Sequence, residues 1–286
     1  MTDGKILVTG ATGQLGTRIV QCLQMKLPPT QVVASGRNVV KAPQRVTFRV
    51  VDYDHPATIE AALEGVSRVV LVSGNEVGRR VQQHKAVIDA AASAGVQLLA
   101  YTSILKADAS PLLLAAEHRG TEEVLRAGRL PFIVLRNGWY SENFTHTASL
   151  AIQSGVVLSA AGGGRFSTAS RDDYAEAAAA LILRDDHRPG QVYELAGSTS
   201  FSKREYAALL AEKSGGEVQV RDLTEAQYIA ALTSTGLPEG FARILADCDA
   251  HAADGWLFDD SRTLQNIIGR PTTSLEQSLD AALDVR

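Results

Sequence analysis

Short apolar segments alternate with longer amphipathic segments along the first half of the chain. The apolar segments are rich in β-branched residues and predict six strands, at 5–9, 31–35, 46–51, 68–73, 96–102 and 132–136. Segments with helical spacing lie between most of them and predict helices at 14–26, 57–64, 79–94 and 112–127. Because apolar strands that alternate with helices form parallel sheets covered on both faces, this half predicts an α/β fold.

The pattern changes in the second half of the chain. A strand at 155–158, a flexible turn at 162–164, an Ala-rich helix at 171–183 and a strand at 191–195 are followed by helices at 202–213, 224–234, 241–249 and 275–283. We therefore predict a Rossmann-type, doubly wound parallel sheet with a smaller, mostly helical C-terminal lobe. The expected boundaries are 1–150 for the Rossmann domain, with 165–190 packing back onto it, and 151–164 with 191–286 for the substrate-side lobe.

A glycine-rich turn joins the first predicted strand to the first predicted helix, with the sequence Gly10-Ala11-Thr12-Gly13-Gln14-Leu15-Gly16. In a βαβ unit, Gly10 allows a sharp turn, Gly13 leaves the backbone open to a pyrophosphate, and Gly16 allows the helix to pack closely on the sheet. The helix N-terminus favours an anion through its free N–H groups and its dipole. We therefore predict a dinucleotide site, and the alternative is an ordinary glycine-rich turn.

The end of the second predicted strand distinguishes NADPH from NADH. An NADH site places Asp or Glu about 20 residues after the glycines, to hold the ribose hydroxyls. This chain has Ser35-Gly36-Arg37-Asn38 there, and Lys41 follows. Arg37 can pair with a 2′-phosphate through two hydrogen bonds, so we predict NADPH as the cofactor and 1–150 as the NADP-binding domain. The alternative for Arg37 is a solvated surface arginine.

Composition excludes several other classes of protein. The chain has 286 residues, a net charge of −4 and mixed charges, which do not indicate a nucleic-acid patch or a basic membrane-binding arm. The two cysteines, Cys22 and Cys248, are far apart, and the six histidines lack metal-ligand spacing, so we predict no metal site. No signal peptide or membrane-length apolar segment is recognised, and we expect a soluble cytoplasmic protein.

The helix predicted at 112–127 lacks the Tyr-x-x-x-Lys pair of many short-chain reductases. His118 and Glu122 have the spacing of that pair. Because reduction of an aliphatic ketone needs a positioned acid, the missing tyrosine favours an activated acceptor such as a quinone, whose reduced form water can protonate. His118 is a candidate to donate a proton or orient the substrate, and the alternative is a helix-surface histidine. Tyr101 and Ser103, at the end of a strand, are further candidates.

Aromatic and amide side chains are most concentrated just after the sixth predicted strand, between Arg136 and Phe144. Trp139, Tyr140 and Phe144 offer flat apolar surfaces to a flat ring, while Asn137 and Asn143 offer polar anchors. We predict that this segment binds the substrate. The alternative is an aromatic hinge that packs the two lobes together.

Eight short motifs together resemble the NADPH:quinone oxidoreductases of the NmrA-like family, an atypical branch of the short-chain dehydrogenases. They occur in family order over nearly the whole chain: Val8–Gly16, Arg37-Asn38, Val51-Asp52-Tyr53, Tyr101-Thr102-Ser103, Leu135–Asn143, Tyr193–Gly197, Gly236-Leu237-Pro238 and Leu257–Asp260. The run Asn137-Gly138-Trp139-Tyr140-Ser141-Glu142-Asn143 is more specific than the glycines.

The resemblance implies roles for individual residues. The pyrophosphate would lie on Gly10, Ala11, Thr12, Gly13, Gln14 and Leu15, and the 2′-phosphate on Arg37. The nicotinamide side would be lined by Ser73, Gly74 and Asn75. The segment closing over the cofactor would be Asn137, Gly138, Trp139, Tyr140, Ser141 and Glu142, and the substrate would contact Trp139, Tyr140, Asn143 and Phe144. No catalytic residue is assigned, with His118 and Tyr140 as candidates, and the hydride would pass directly to the quinone without a flavin.

Two other functions remain open at this point. One is an NADP-binding redox sensor that regulates a transcription factor, which would also lack catalytic residues. The other is a reductase of a dye or another conjugated acceptor. The expected partners are a small-molecule quinone and neither nucleic acid nor membrane, and the sequence sets no oligomeric state.

Overall fold

The computed structural model describes residues 4–283. In chain order, its strands are β1 (Lys5–Val8), β2 (Val32–Gly36), β3 (Thr47–Val50), β4 (Val66–Leu71), β5 (Leu98–Ile104), β6 (Phe132–Asn137), β7 (Val156–Ser159), β8 (Arg165–Phe166), β9 (Gln191–Leu195), β10 (Phe201–Ser202) and β11 (Gln219–Asp222). Its α-helices are α1 (Gln14–Gln24), α2 (Pro56–Ala62), α3 (Arg80–Ser93), α4 (Leu113–Ala127), α5 (Glu142–Ser154), α6 (Arg171–Ile182), α7 (Lys203–Ser214), α8 (Glu225–Ser234), α9 (Glu239–Ala252), α10 (Thr263–Ile268) and α11 (Leu275–Leu283). Two short 3₁₀-helices span Pro29–Gln31 and Val39–Lys41.

The described residues form two compact units. The first contains 4–107, 117–137 and 171–195, and the second contains 108–116, 138–170 and 196–283. This division differs from the expected one at 191–195, because β9 pairs with β6 and so extends the main sheet rather than the smaller lobe. It differs also at 108–116, 138–150 and 165–170, which belong to the second unit.

The first unit is built on a seven-stranded parallel sheet with the order β3-β2-β1-β4-β5-β6-β9. The first strand lies inside the sheet, with β2 on one side and β4 on the other. The direction of winding therefore reverses between β1 and β4. In open α/β sheets, ligands bind at the carboxyl ends of the strands next to this reversal. The predicted Rossmann-type sheet is confirmed.

Burial of both sheet faces accounts for the apolar character of the strands. Leu7, Val33, Val69, Leu99 and Val134 are all at most 1% exposed and share one core with the helices on one face. Each fully buried aliphatic side chain contributes about 1.5–3 kcal/mol to the free energy of folding. Helix α1 buries a separate apolar stripe and packs against α6, and this packing fixes the helix next to the glycine turn.

The second unit combines six helices with two small sheets. The pair β7 and β11 is parallel, and the pair β8 and β10 is antiparallel. A cluster of four aromatic rings fills its interior, with ring centroids 4.9–5.2 Å from Phe144 to each of Phe166, Phe201 and Tyr206. The Lys203 ammonium lies 5.3 Å from the Phe144 ring and is neutralised by Asp249 at 2.9 Å. This unit is mostly helical, as predicted, and its strands have only two to four residues each.

The sequence pattern missed some elements of the second unit. Helix α5 begins at Glu142, in a segment for which the sequence predicted no element; its Asn and Thr residues have low helix propensity. The short strands β8, β10 and β11 have two to four residues each, too few for alternation to be recognised. Long, strongly periodic segments were predicted to within a few residues.

Candidate cofactor site

The turn after β1 has the backbone that its glycines suggest. Gly10 has a φ of +58°, in the left-handed region where glycine has no steric cost. The turn is closed by hydrogen bonds from the Ala11 N–H to the Ser35 carbonyl at 2.8 Å and from the Gly13 N–H to the Gly10 carbonyl at 2.9 Å. A Cβ at Gly16 would lie 2.3 Å from the Gly10 carbonyl oxygen. No larger residue fits there without moving the backbone, so this turn and α1 are packed against each other.

The N-terminus of α1 is open to a ligand. Gly13 is the residue before the helix, and no side chain among the described residues caps it. A Cβ on Gly13 would contact only the Gly10 carbonyl, at 3.2 Å, so open space lies on its other side. The first-turn N–H groups and the helix dipole favour an anion at this point. These features fit the pyrophosphate of a dinucleotide.

Arg37 extends from the carboxyl end of β2 and its side chain is 64% exposed. Its Nη1 donates to Glu76 Oε1 at 2.7 Å. Glu76 also accepts a hydrogen bond from Gln83 at 3.0 Å and lies 3.4 Å from Arg79. Arg37 is thus a cation at the expected place for a 2′-phosphate, held by a carboxylate that a phosphate would have to displace. The sequence alone gave no sign of Glu76.

The loop after β4 carries Ser73, Gly74 and Asn75, beside the reversal of the sheet. The Ser73 N–H donates to Thr102 Oγ1 at 2.8 Å, which ties the loop to the end of β5. Both backbone groups of Gly74 are bound by side chains of α3, which sequence reasoning did not identify. The Asn75 side chain is exposed. A second loop with a defined backbone therefore lies beside the glycine turn at the same sheet edge.

His118 and Tyr101 form a buried pair rather than an exposed acid. The Tyr101 hydroxyl and His118 Nδ1 are 2.8 Å apart, and the residues are 0% and 6% exposed. Burial and then the charge of Arg80 lower the pKa of His118 well below its usual range, while burial raises that of Tyr101. His118 is therefore neutral, and the alternative of a helix-surface histidine is wrong.

Glu122, which has the spacing of the missing lysine, is part of a buried ionic network. Both its oxygens accept from the Arg136 guanidinium, at 3.0 and 2.7 Å, and Ser103 donates to it at 2.7 Å. Arg136 Nη1 also donates to Glu194 at 2.8 Å. Burial opposes ionisation of Glu122, but the Arg136 and Ser103 hydrogen bonds outweigh it and lower its pKa. Ser103 and Glu122 thus join β5, β6 and α4.

The segment after β6 spans the boundary of the two units. Asn137 is in the first unit, and its Oδ1 is buried with no hydrogen-bond partner among the described residues. In the second unit, the Ser141 N–H donates to the Ala169 carbonyl at 2.9 Å, so the segment at 138–141 is held like a short strand. Trp139 and Tyr140 are half-buried, as are Glu142 and Asn143, while Gly138 and Ser141 are buried.

Phe144 lies in the aromatic cluster and is only 4% exposed. Its ring has three aromatic neighbours and a cation beside it, so the structure accounts for Phe144 as a packing residue of the second unit. The Ser141 hydroxyl donates to Thr168 at 3.0 Å within the same unit. Within residues 4–283, no group of three or more His, Cys, Asp or Glu side chains is arranged to hold a metal ion. No α-helix in that range has the length and apolar character needed to cross a membrane.

Comparison with known proteins gives concordant results. A family model described as NAD(P)H-binding matches residues 10–185. Quinone oxidoreductase 2 of Escherichia coli (strain K12) is 47% identical over 284 residues, which are 98% of this chain and 99% of that protein. The crystal structure of the NADPH complex of the E. coli NADPH-dependent quinone oxidoreductase has a TM-score of 0.94 at 46% identity, covering 97% of this chain and 99% of the other.

A dye reductase has a similar fold. The crystal structure of Citrobacter sp. triphenylmethane reductase complexed with NADP(H) has a TM-score of 0.91 at 33% identity, covering 97% of this chain and 100% of the other. The resemblance inferred from the sequence motifs is therefore confirmed, and a second class of acceptor is represented among similar proteins.

Proposed function

We propose a function from the premise that this chain belongs to the NAD(P)H-binding family. It is an NADPH-dependent reductase that transfers a hydride directly to a quinone, an activity of the EC 1.6.5 type. The observation that carries this function is the uncapped N-terminus of α1 beside Gly10 and Gly13, with Arg37 at the end of β2. The first holds a pyrophosphate, and the second distinguishes a 2′-phosphate from a hydroxyl.

Residues from four strand ends would hold NADPH. The backbone at 10–15 binds the pyrophosphate and Arg37 binds the 2′-phosphate. The loop at 73–75 lines the nicotinamide end, and Asn137 Oδ1, buried without a partner among the described residues, accepts a hydrogen bond from the ligand. The sequence resemblance assigns 138–142 to the cofactor as well. These assignments agree with the rule that ligands of parallel sheets bind at the carboxyl ends of the strands.

The chemistry needs little from the protein beyond positioning. Bound NADPH supplies a hydride, that is two electrons and one proton, and the quinone becomes a hydroquinone after taking a second proton from water. The buried, neutral His118 and the buried Tyr101 offer no acid to solvent. The chain therefore acts by orienting the two reactants, with His118 and Tyr101 excluded as proton donors.

Trp139 and Tyr140 are the residues that we assign to the quinone. Their half-buried rings provide flat apolar surface, and the backbone beside them is fixed by the hydrogen bond from Ser141 to Ala169. Asn143 is half-buried and supplies a polar contact. Phe144 is left out of the proposed contacts because its ring belongs to the aromatic cluster.

A spectrophotometric assay tests the activity. Oxidation of NADPH is followed by absorbance with a small benzoquinone, and we expect turnover well above the spontaneous rate. Tight NADPH binding with no enzyme-dependent oxidation would reject the reductase. The variant Tyr140→Ala should raise the KM for quinone about tenfold, since one aromatic contact contributes roughly 0.5–1.5 kcal/mol beyond its buried area. Phe241→Ala, which changes an exposed ring of the second unit, is the control. Unchanged kinetics for Tyr140→Ala would make the aromatic run structural.

Reduction of a dye is the second candidate function. The 33% identity to a triphenylmethane reductase favours it, because a cationic conjugated dye accepts a hydride without prior protonation. The same assay with a triphenylmethane dye as acceptor compares kcat/KM for the two substrates. A higher kcat/KM for the dye would make the dye, rather than the quinone, the proposed substrate.

We propose the cytoplasm as the location of the protein. Cys22 and Cys248 are both free, which fits a reducing compartment.

A further inference from the structure

The backbone of Gly74, in the middle of the loop after β4, is held from both sides by α3. Its N–H donates to Nε2 of His84 at 3.0 Å. Its carbonyl accepts from Nε of Arg80 at 2.7 Å. Arg80 and His84 are one helical turn apart, so their side chains reach the same loop from one face of α3. The loop is thus set by two side chains.

The hydrogen bonds of His84 determine its protonation. A backbone N–H can only donate, so Nε2 must accept and cannot carry a proton. The proton is therefore on Nδ1, which lies 3.0 Å from Thr121 Oγ1. Thr121 uses its own proton on the Glu117 carbonyl, at 3.0 Å, and its oxygen is thus an acceptor for His84. The three hydrogen bonds from Gly74 to His84, from His84 to Thr121 and from Thr121 to Glu117 thus each have one possible donor.

The surroundings keep His84 neutral and fix its ring. His84 is 0% exposed, and its ring meets the edge of Tyr101 with centroids 5.3 Å apart. Burial and then the charge of Arg80 lower the pKa of His84 to about 3. The Arg80 guanidinium is itself 3.4 Å from the Glu117 carboxylate, which balances its charge. The ring cannot turn or take a second proton without losing its bond to Gly74.

We propose that His84 is a positioning residue for hydride transfer: through Gly74 it sets the backbone at 73–75, and so the orientation of the nicotinamide of NADPH. Arg80 completes the same clamp from the carbonyl side. This inference rests on the proposed function, since it takes 73–75 as the nicotinamide end of the site. Because the proposed contacts at 10–15 and Arg37 hold the pyrophosphate and the 2′-phosphate, the clamp on 73–75 should change kcat more than the dissociation constant for NADPH.

Three substitutions of His84 test this role. His84→Leu removes the acceptor, and we expect kcat with benzoquinone to fall at least tenfold while the dissociation constant for NADPH changes less than threefold. His84→Gln places an amide oxygen near the position of Nε2 and should restore part of kcat. His84→Asn is too short to reach Gly74 and should resemble the leucine variant. A merely structural role would not separate glutamine from asparagine.

A matched control comes from His187, another histidine of the first unit with both ring nitrogens bound. It lies 2.9 Å from the Tyr193 hydroxyl and 2.7 Å from the Leu181 carbonyl. His187→Leu should leave kcat and NADPH affinity within twofold of the wild type. Wild-type kcat in a folded His84→Leu variant, or equal kcat for the Gln and Asn variants, would overturn the proposal.

A second measurement separates this inference from the proposed activity. The fluorescence of bound NADPH reports on the environment of the nicotinamide and needs no acceptor. We expect altered emission with His84→Leu and unchanged emission with His187→Leu. If the wild type binds NADPH but reduces no quinone, the proposed activity fails while the emission still tests the clamp. Unaltered emission with His84→Leu would reject the clamp whatever the activity.

Discussion

The substitution Arg37→Ala tests how the protein recognises the 2′-phosphate of NADPH. The Arg37 guanidinium is 2.7 Å from Glu76 and its side chain is 64% exposed, so it must leave one partner to meet a phosphate. Hydrogen bonds to charged groups contribute about 1.5–3 kcal/mol. Loss of an exposed ion pair costs about 0–1 kcal/mol. The net gain of about 1–2 kcal/mol predicts that Arg37→Ala weakens NADPH binding roughly 5- to 30-fold.

The assay is a fluorescence titration with NADPH and with NADH at one ionic strength. NADH has a hydroxyl in place of the 2′-phosphate, so its dissociation constant should change less than twofold in the Arg37→Ala variant. Glu76→Gln removes the carboxylate that competes with the phosphate for Arg37, and it should therefore lower the dissociation constant for NADPH. The control is Arg184→Ala, because Arg184 forms a similar exposed pair with Asp186 at 2.8 Å.

Two results would refute this reasoning. Equal weakening of NADPH and NADH binding would show that Arg37 supports the fold rather than the phosphate. No weakening of NADPH binding would show that Arg37 is a solvated surface residue. A wild-type protein that binds NADH as tightly as NADPH would remove the premise itself.

Three further predictions concern stability, each measured by urea unfolding. Gly16→Ala should lower the free energy of unfolding by about 1–3 kcal/mol or more, because the added Cβ would lie 2.3 Å from the Gly10 carbonyl oxygen. A variant as stable as the wild type would contradict this contact. Glu122→Gln should lower the free energy of unfolding by up to about 3–5 kcal/mol, because it removes the buried carboxylate that binds Arg136 through two hydrogen bonds and leaves Arg136 with Glu194; a loss below 1 kcal/mol would mean that the Glu122–Arg136 pair is dispensable. The pKa of His84 is lowered to about 3 in the folded protein, mainly by burial. Its contribution should be fully present above about pH 6.5 and decline by about 1.4 kcal/mol per pH unit below it, because only the unfolded chain binds the proton. His84→Leu should show a shallower decline between pH 7 and 5, and an equal decline would contradict the assignment.

Local patterns predicted much of this protein. The alternation of strands and helices predicted the parallel sheet because each segment buries its own apolar side chains. The glycine turn was predicted because such a turn needs glycine at fixed positions within one short segment. Gly10 has a φ of +58°, and Gly16 lies too close to the Gly10 carbonyl for a Cβ. Arg37 was proposed for the 2′-phosphate because its distance in sequence from the glycines matches the length of one helix and one strand. These features depend on residues that are near one another in the chain.

The sequence by itself thus determined the fold class, the glycine turn and the presence of an arginine, rather than a carboxylate, at the end of the second strand. Only the tertiary structure decided which groups Arg37 and Gly74 meet, that Tyr101 and His118 are buried together, and that Phe144 packs in an aromatic cluster. The physical reason is that hydrogen-bond partners and burial arise where distant segments pack, as with Phe144 and Phe201 or Arg37 and Glu76. No local pattern carries that information, because the side chains that satisfy a group are chosen by the whole packing arrangement.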